Sequence, residues 1–154
     1  MRRKDLLITK STSAAAYALC LMVGLGCVSS SEQETGTMAM AGTKWVLAAH
    51  GLPDGLQPVL PYTEITLHFQ DDGGSVGGTA GCNVYRASYE VSGPALSIST
   101  PGSTRKYCQE RPGIMEQERL YLAALASANH YHIDEDRLEI AYDEGRRVLL
   151  FYGR

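Results

Sequence analysis

The sequence predicts a mainly β fold: a small antiparallel β-barrel or strongly coiled sheet, closed by one α-helix at about 112–128. Two observations carry this. From residue 45 onward, short runs alternate apolar with polar residues and are punctuated by Gly, Pro, Asp and Asn, the pattern of half-buried strands joined by tight turns. One stretch, beginning at Pro112, changes to helical spacing. Closing such a sheet on itself removes the exposed edges that would otherwise template aggregation.

Trp45 to Ala49 reads as the first strand, stopped by the turn-forming cluster Gly51 to Gly55. Glu64 to Gln70 is the clearest strand, with Ile65, Leu67 and Phe69 on one face and Thr66, His68 and Gln70 on the other. Asp71 to Gly74 supplies a hairpin turn, because Asp and Gly accept the backbone angles such turns require. Ser75 to Ala80 then returns antiparallel, and its paired Gly77 and Gly78 permit sharp coiling or a bulge. Val84 to Val91 and Ala95 to Ser99 form the next pair about Gly93-Pro94. In the helix, Met115, Leu122, Leu125 and Ala126 gather on one face with Tyr121 at its border. Pro112 suits a first helical position, and Glu116 and Glu118 lie near the positive end of the helix dipole. Three strands follow, at 131–133, 138–142 and 148–152, linked by acidic turns at 134–136 and 143–145.

Ahead of this domain, Arg2, Arg3 and Lys4 precede a mostly apolar run from Ala14 to Gly26, too short for a span that needs about 20 apolar residues. A charged start, a short apolar segment and a small-residue exit match a secretory signal peptide over 1–26. Gly26-Cys27 resembles the lipobox of bacterial lipoproteins, in which the cysteine becomes the acylated first residue, although Gly24 stands where that motif usually carries Leu. Lipidation at Cys27 is the favoured reading, and ordinary cleavage leaving a free thiol is the alternative. Val28, where the enterobacterial inner-membrane signal would place Asp, favours the outer membrane, facing the periplasm. Residues 27–42 are small and polar and read as a flexible tether to a domain at 43–154. With Arg2, Arg3, Lys4, Lys10 and Asp5 set aside, 10 basic residues face 16 acidic ones, a net of −6. No basic cluster is left to neutralise phosphates, which argues against a nucleic-acid partner.

Cysteine arithmetic adds a further constraint. Of four cysteines, Cys20 leaves with the signal and three remain. An odd count is explained if Cys27 carries lipid and Cys82 pairs with Cys108 in an oxidising compartment. A redox or metal-binding dithiol is the rival, but there is no Cys-x-x-Cys spacing and no His near either residue.

Taken together, Trp45 with Val46-Leu47, Gly81-Cys82-Asn83 after a hairpin, Thr104 four residues before Cys108, and Met115-Glu116 with Glu118 resemble the META domain family, which includes HslJ-like heat-shock and envelope lipoproteins. The likeness covers essentially all of 43–154. It implies a small lipocalin-like barrel associated with the cell envelope and with stress response, and it implies no catalytic site and no cofactor.

His130 and His132 flank Tyr131 and would share a strand face, so with Asp134 they could hold a metal, but a solvated strand face and an acidic turn at 134–136 explain them more simply. His50 and His68 read as surface or rim residues. Asn83 is expected to bond backbone in a turn. Glu116 and Glu118 could be imagined as an acid–base pair, but residues two apart on a helix do not face one another. No nucleophile elbow is present. Nine tyrosines against two phenylalanines suit half-exposed positions in a thin-walled barrel, or an interface. The expected function is therefore non-enzymatic: an envelope lipoprotein held to the membrane by its lipid anchor, binding a protein or a small apolar ligand. An inhibitor or chaperone-like module acting through Pro53 to Pro61, or a purely structural protein, are the alternatives.

Overall fold

The structure, a computed structural model, describes residues 39–154. The signal peptide, Cys27 and all but the last residues of the expected tether lie outside the described residues. Ten strands and one helix follow in the order β1 (Trp45–Leu52), β2 (Gly55–Pro58), β3 (Thr66–Phe69), β4 (Ser75–Thr79), β5 (Val84–Ser92), β6 (Ala95–Ile98), β7 (Gly102–Ser103), α1 (Ile114–Ala126), β8 (Ala128–Asp134), β9 (Arg137–Tyr142) and β10 (Arg147–Gly153). Eight of them, β1-β3-β4-β5-β6-β8-β9-β10, form a closed antiparallel barrel, because β10 pairs back onto β1. That seam runs from Trp45 opposite Gly153 to Gly51 opposite Val148. A register shift between Leu47 and Ala49 leaves Ala48 as an extra residue, a bulge that bends β1. The bend lets one edge of β1 serve β3 at its start and β2 at its end. In the same way β5 carries β7 near its start and β6 along its second half.

The predicted alternation in β3 puts Ile65, Leu67 and Phe69 inside, each at most 1 % exposed. Trp45, Leu47, Val76, Leu96, Leu138, Ile140, Leu149 and Phe151 join them, so the interior is packed with side chains. The indole N–H of Trp45 is satisfied by the carbonyl of Met40, 3.0 Å away, which folds residues 40 and 41 against the core. Helix α1 closes the end where β1 and β9 finish and β5 and β10 begin, inserting Tyr121, Ala124 and Leu125. Tyr121 and Tyr85 meet there in an edge-on pair, their hydroxyls 2.7 Å apart. Tyr85 donates to the carbonyl of Thr66 at 2.9 Å. Burial pushes both phenols well above their usual ionisation range.

Several expectations need correction. Strands β2 and β7 were not foreseen, since Leu56-Gln57-Pro58 and Gly102-Ser103 are too short and too polar to show a period. Pro53 to Pro61 is consequently not a free loop: its centre is β2, paired with the end of β1. The helix spans 114–126 rather than 112–128. Gly113 adopts a left-handed backbone (φ 84°), which interrupts the right-handed helix and leaves Pro112 outside it. At the other end, the Ser127 hydroxyl and N–H occupy the last carbonyls, and Ala128 already belongs to β8. The buried face is also rotated from the predicted one: Ile114, Gln117, Glu118, Tyr121, Ala124 and Leu125 are covered, Met115 and Leu122 are half-buried, and Ala126 is exposed. Thr66, assigned to a solvated face, is 4 % exposed, because its carbonyl lies against Gly78 and its hydroxyl accepts the N–H of Thr79. The paired glycines therefore serve coiling and not a bulge, since Ile65 opposite Ala80 and His68 opposite Gly77 keep one register.

Two outcomes follow. A Cβ at Gly78 would overlap the carbonyl oxygen of Thr66, whereas one at Gly55 would meet nothing within 4 Å. Gly78→Ala should cost about 3 kcal/mol or more in a denaturant titration, and Gly55→Ala should stay within about 0.5 kcal/mol of the parent. The second concerns alkali. In the unfolded chain both tyrosines ionise near pH 10, while in the fold they stay protonated, so their contribution is full below about pH 10. It is lost as pH rises further, with a slope of up to about 1.4 kcal/mol per pH unit for each tyrosine. Tyr121→Phe should make that alkaline decline shallower, read as melting temperature between pH 9 and 11.5.

Candidate functional site

Of the motif residues, Gly81, Cys82, Asn83, Thr104, Cys108 and Glu118 meet at the helix-closed end of the barrel, whereas Trp45, at the start of β1, is buried in the core away from them. Cys82 and Cys108 are bonded, with Cα atoms 6.1 Å apart. Beside them Asn83, 2 % exposed, uses its whole hydrogen-bonding capacity. Its Oδ1 accepts from the Thr104 hydroxyl and from the Lys106 N–H, both at 2.7 Å. Its Nδ2 donates to the Lys106 carbonyl at 3.1 Å and to Glu118 Oε1 at 2.7 Å. The second oxygen of Glu118 accepts the N–H groups of Asn83 (2.7 Å) and Cys82 (3.2 Å). A carboxylate only 5 % exposed is thus held by three N–H donors.

This arrangement revises two expectations. Asn83 does bond backbone, but that of the distant 104–106 segment rather than of its own turn. Glu118 is not a helix-end charge: it lies in the second turn, beyond the reach of the dipole, and faces inward. Glu116, in the first turn, is exposed and forms a two-pronged pair with Arg119 at 2.6 and 2.8 Å. The two glutamates therefore point to different surroundings and do not form an acid–base pair.

Gln117 was missed by sequence reasoning. It is 7 % exposed, accepts the Leu60 N–H at 2.6 Å and donates to the Thr63 hydroxyl at 3.1 Å. Its signal was available, since it stands three residues after Ile114 and four before Tyr121 on one helical stripe. Adjacent helix residues thus fasten two loops, Gln117 the one at 60–63 and Glu118 the one at 82–83. Between those loops lie two adjoining clefts of about 550 and 250 Å³ that share Glu110 and Arg111. Tyr107 lines the first and Tyr62 the second. Both rings are exposed, at 72 % and 90 %. Tyr62 also holds a left-handed backbone (φ 65°), rare for a bulky residue, and its carbonyl accepts Arg111 Nη1 at 2.8 Å.

Most of the histidine expectations concern the outer wall. His130, His132 and Asp134 are exposed on one face of β8, as the spacing predicted. Among the described residues no group of three or more His, Cys, Asp and Glu is placed to hold a metal ion. His68 lies on the outside beside Gly77. His50 is half-buried at the barrel mouth, where burial and the nearby Arg147 lower its pKa.

Comparison with known proteins settles the family. The META domain model matches residues 38–153. The chain belongs to the META domain family. The META fold recurs in solved structures. A protein from Burkholderia xenovorans, solved by NMR, shares 30 % identity and a TM-score of 0.63, over 75 % of this chain and 83 % of that one. A DUF4847 family protein from Bacteroides vulgatus, at 14 % identity and a TM-score of 0.54 over 73 % and 93 % of the two chains, shares the fold alone. No curated protein matches the chain. In this META domain Cys82, Asn83, Thr104 and Glu118 of the sequence motif form one hydrogen-bonded cluster, and Trp45, Met115 and Glu116 stand outside it.

Removing single partners from that cluster should be costly. Glu118→Gln places an NH2 group against N–H donors and should lower stability by about 2–4 kcal/mol. Asn83→Asp, which sets a second carboxylate beside Glu118, should cost at least as much. Replacing both Cys82 and Cys108 by Ser reopens a loop of 26 residues and should cost about 3.5 kcal/mol on the chain-entropy model. Urea titrations of the protein measure all three.

Proposed function

We propose that the protein is a non-enzymatic envelope lipoprotein, anchored through Cys27, whose META barrel binds a protein partner at the rim carrying Tyr62, Tyr107 and Arg111. The observation that carries this reading is the exposure of two tyrosines on loops that are fastened from beneath by Gln117, Glu118 and the disulfide. Tyrosine and arginine supply most binding energy at protein interfaces, and a pre-fixed loop spends little entropy on association. The packed interior argues against the small apolar ligand of the lipocalin comparison occupying the barrel's centre. The strand at 55–58 argues in turn against Pro53 to Pro61 as an inhibitory loop. A role in stress tolerance would follow from the partner's identity.

The test is photo-crosslinking in the native envelope from a reactive residue placed at Tyr107, repeated from Tyr152 on the outer wall. Crosslinks to one defined protein from position 107, lost in a Tyr62→Ser variant and missing from position 152, are the expected result. Equal labelling from both positions, or a catalytic turnover abolished by replacing one polar side chain, would overturn the reading.

A further inference from the structure

Strands lining a packed barrel should point apolar side chains inward, and at one place this one does not. Arg147 stands directly opposite Tyr142 across the β9–β10 hairpin and two residues from the buried Leu149. It therefore belongs to the inward-facing set of β10. His50 is opposite Leu149 in the β1–β10 seam and faces the same way. The C-terminal half of α1 covers these residues incompletely, leaving a cleft of about 260 Å³ walled by His50, Arg147, Tyr142, Leu149, Tyr121 and Leu120.

The chemistry of this cleft is that of a site for a small organic anion. The Arg147 guanidinium lies 6.0 Å from the centre of the Tyr142 ring, a cation–π contact that orients it. Among the described residues it has no carboxylate within ion-pair distance, while its neighbour Arg146 is paired with Asp143 at 2.9 Å. That pairing occupies the one acidic group at the lip of the cleft. His50 has its pKa lowered by burial and by Arg147, so it faces a ligand as a neutral hydrogen-bonding ring. The carbonyls of Ala123 and Ala124, whose negative ends would repel an anion, are already covered by the Ser127 hydroxyl. The floor is apolar, formed by Leu149 and the edge of Tyr121, with Leu120, 44 % exposed, at the rim. We infer that this mouth binds a short-chain monocarboxylate, its carboxylate on Arg147 with His50 as a second hydrogen-bond partner and its tail against Leu149. The cleft, about 260 Å³ and open to solvent on one side, has room for a small ligand of this kind. The site is separate from the tyrosine-bearing rim and shares none of its residues.

Hexanoate is the probe, with 1-hexanol and inorganic phosphate as its neutral and tail-less counterparts, each titrated into the isotope-labelled protein and followed by NMR. Hexanoate should shift the signals of Leu149, Ala124 and Tyr142 in a saturable way. The alcohol and phosphate should each bind at least about tenfold more weakly. Arg147→Met should weaken hexanoate by about the same factor, Arg147→Lys should restore part of it, and Arg105→Met, on the exposed 104–108 segment, should leave it unchanged. Because the Arg147 side chain reaches solvent, the variants should keep the parent's spectrum, and mapping in the unsubstituted protein stands independently of them. Shifts that fail to saturate, that centre elsewhere, or that persist equally with hexanol or in Arg147→Met would overturn the assignment. The partner reading above is untouched by either result.

Discussion

The contact on which the rest of the helix-closed end depends is the one between Glu118 and Asn83. A buried carboxylate is tolerable only if N–H groups replace its water, and here all three donors come from Cys82 and Asn83. The requirement works in both directions. The helix must sit where its second turn reaches the start of β5, and the 81–83 turn must offer its N–H groups to the helix. Asn83 then passes the restraint on to Thr104 and Lys106, which brings Cys108 to Cys82. Helix, turn, β7 segment and disulfide are fixed as one unit by a single satisfied charge.

Seen this way, the packed barrel and the hydrogen-bonded rim have different tasks. The barrel gains its stability from Trp45, Phe69, Phe151 and the aliphatic residues between them, which need only volume and apolarity. The rim is built from polar groups whose geometry is specific. Its precision is what allows Tyr62 and Tyr107 to stand in solvent on a fixed backbone.

How much of this was legible in the residues depended on which signal carried it. The Ile65-Leu67-Phe69 alternation announced its strand, because one face is apolar and the other largely polar. The cysteine count pointed to the Cys82–Cys108 bond, since one candidate pair remained once Cys27 was assigned elsewhere. Glu118 was misread because a glutamate near a helix start has a common local explanation, and its true partners are more than thirty residues away. Thr66 was misread for a related reason: its burial is caused by the missing side chain of Gly78 on another strand. The two-sided sequence pattern of β10 likewise gave no sign that Arg147 faces inward, which becomes visible only when its register with Tyr142 is known. Local periodicity is readable residue by residue, whereas burial of polar groups is decided by contacts across the fold.

The seam between β1 and β10 has a consequence for how the molecule comes to exist. It joins Trp45 to Gly153, so the first strand of the domain finds one of its neighbours only in the last. Until the final seven residues of β10 are available, β1 and β9 both end in open, hydrogen-bond-hungry edges. Joining chain ends this distant is slow compared with forming hairpins, because closure entropy must be overcome before the contacts repay it. The edges of β1 and β9 that β10 joins are therefore covered only once β10 has docked between them.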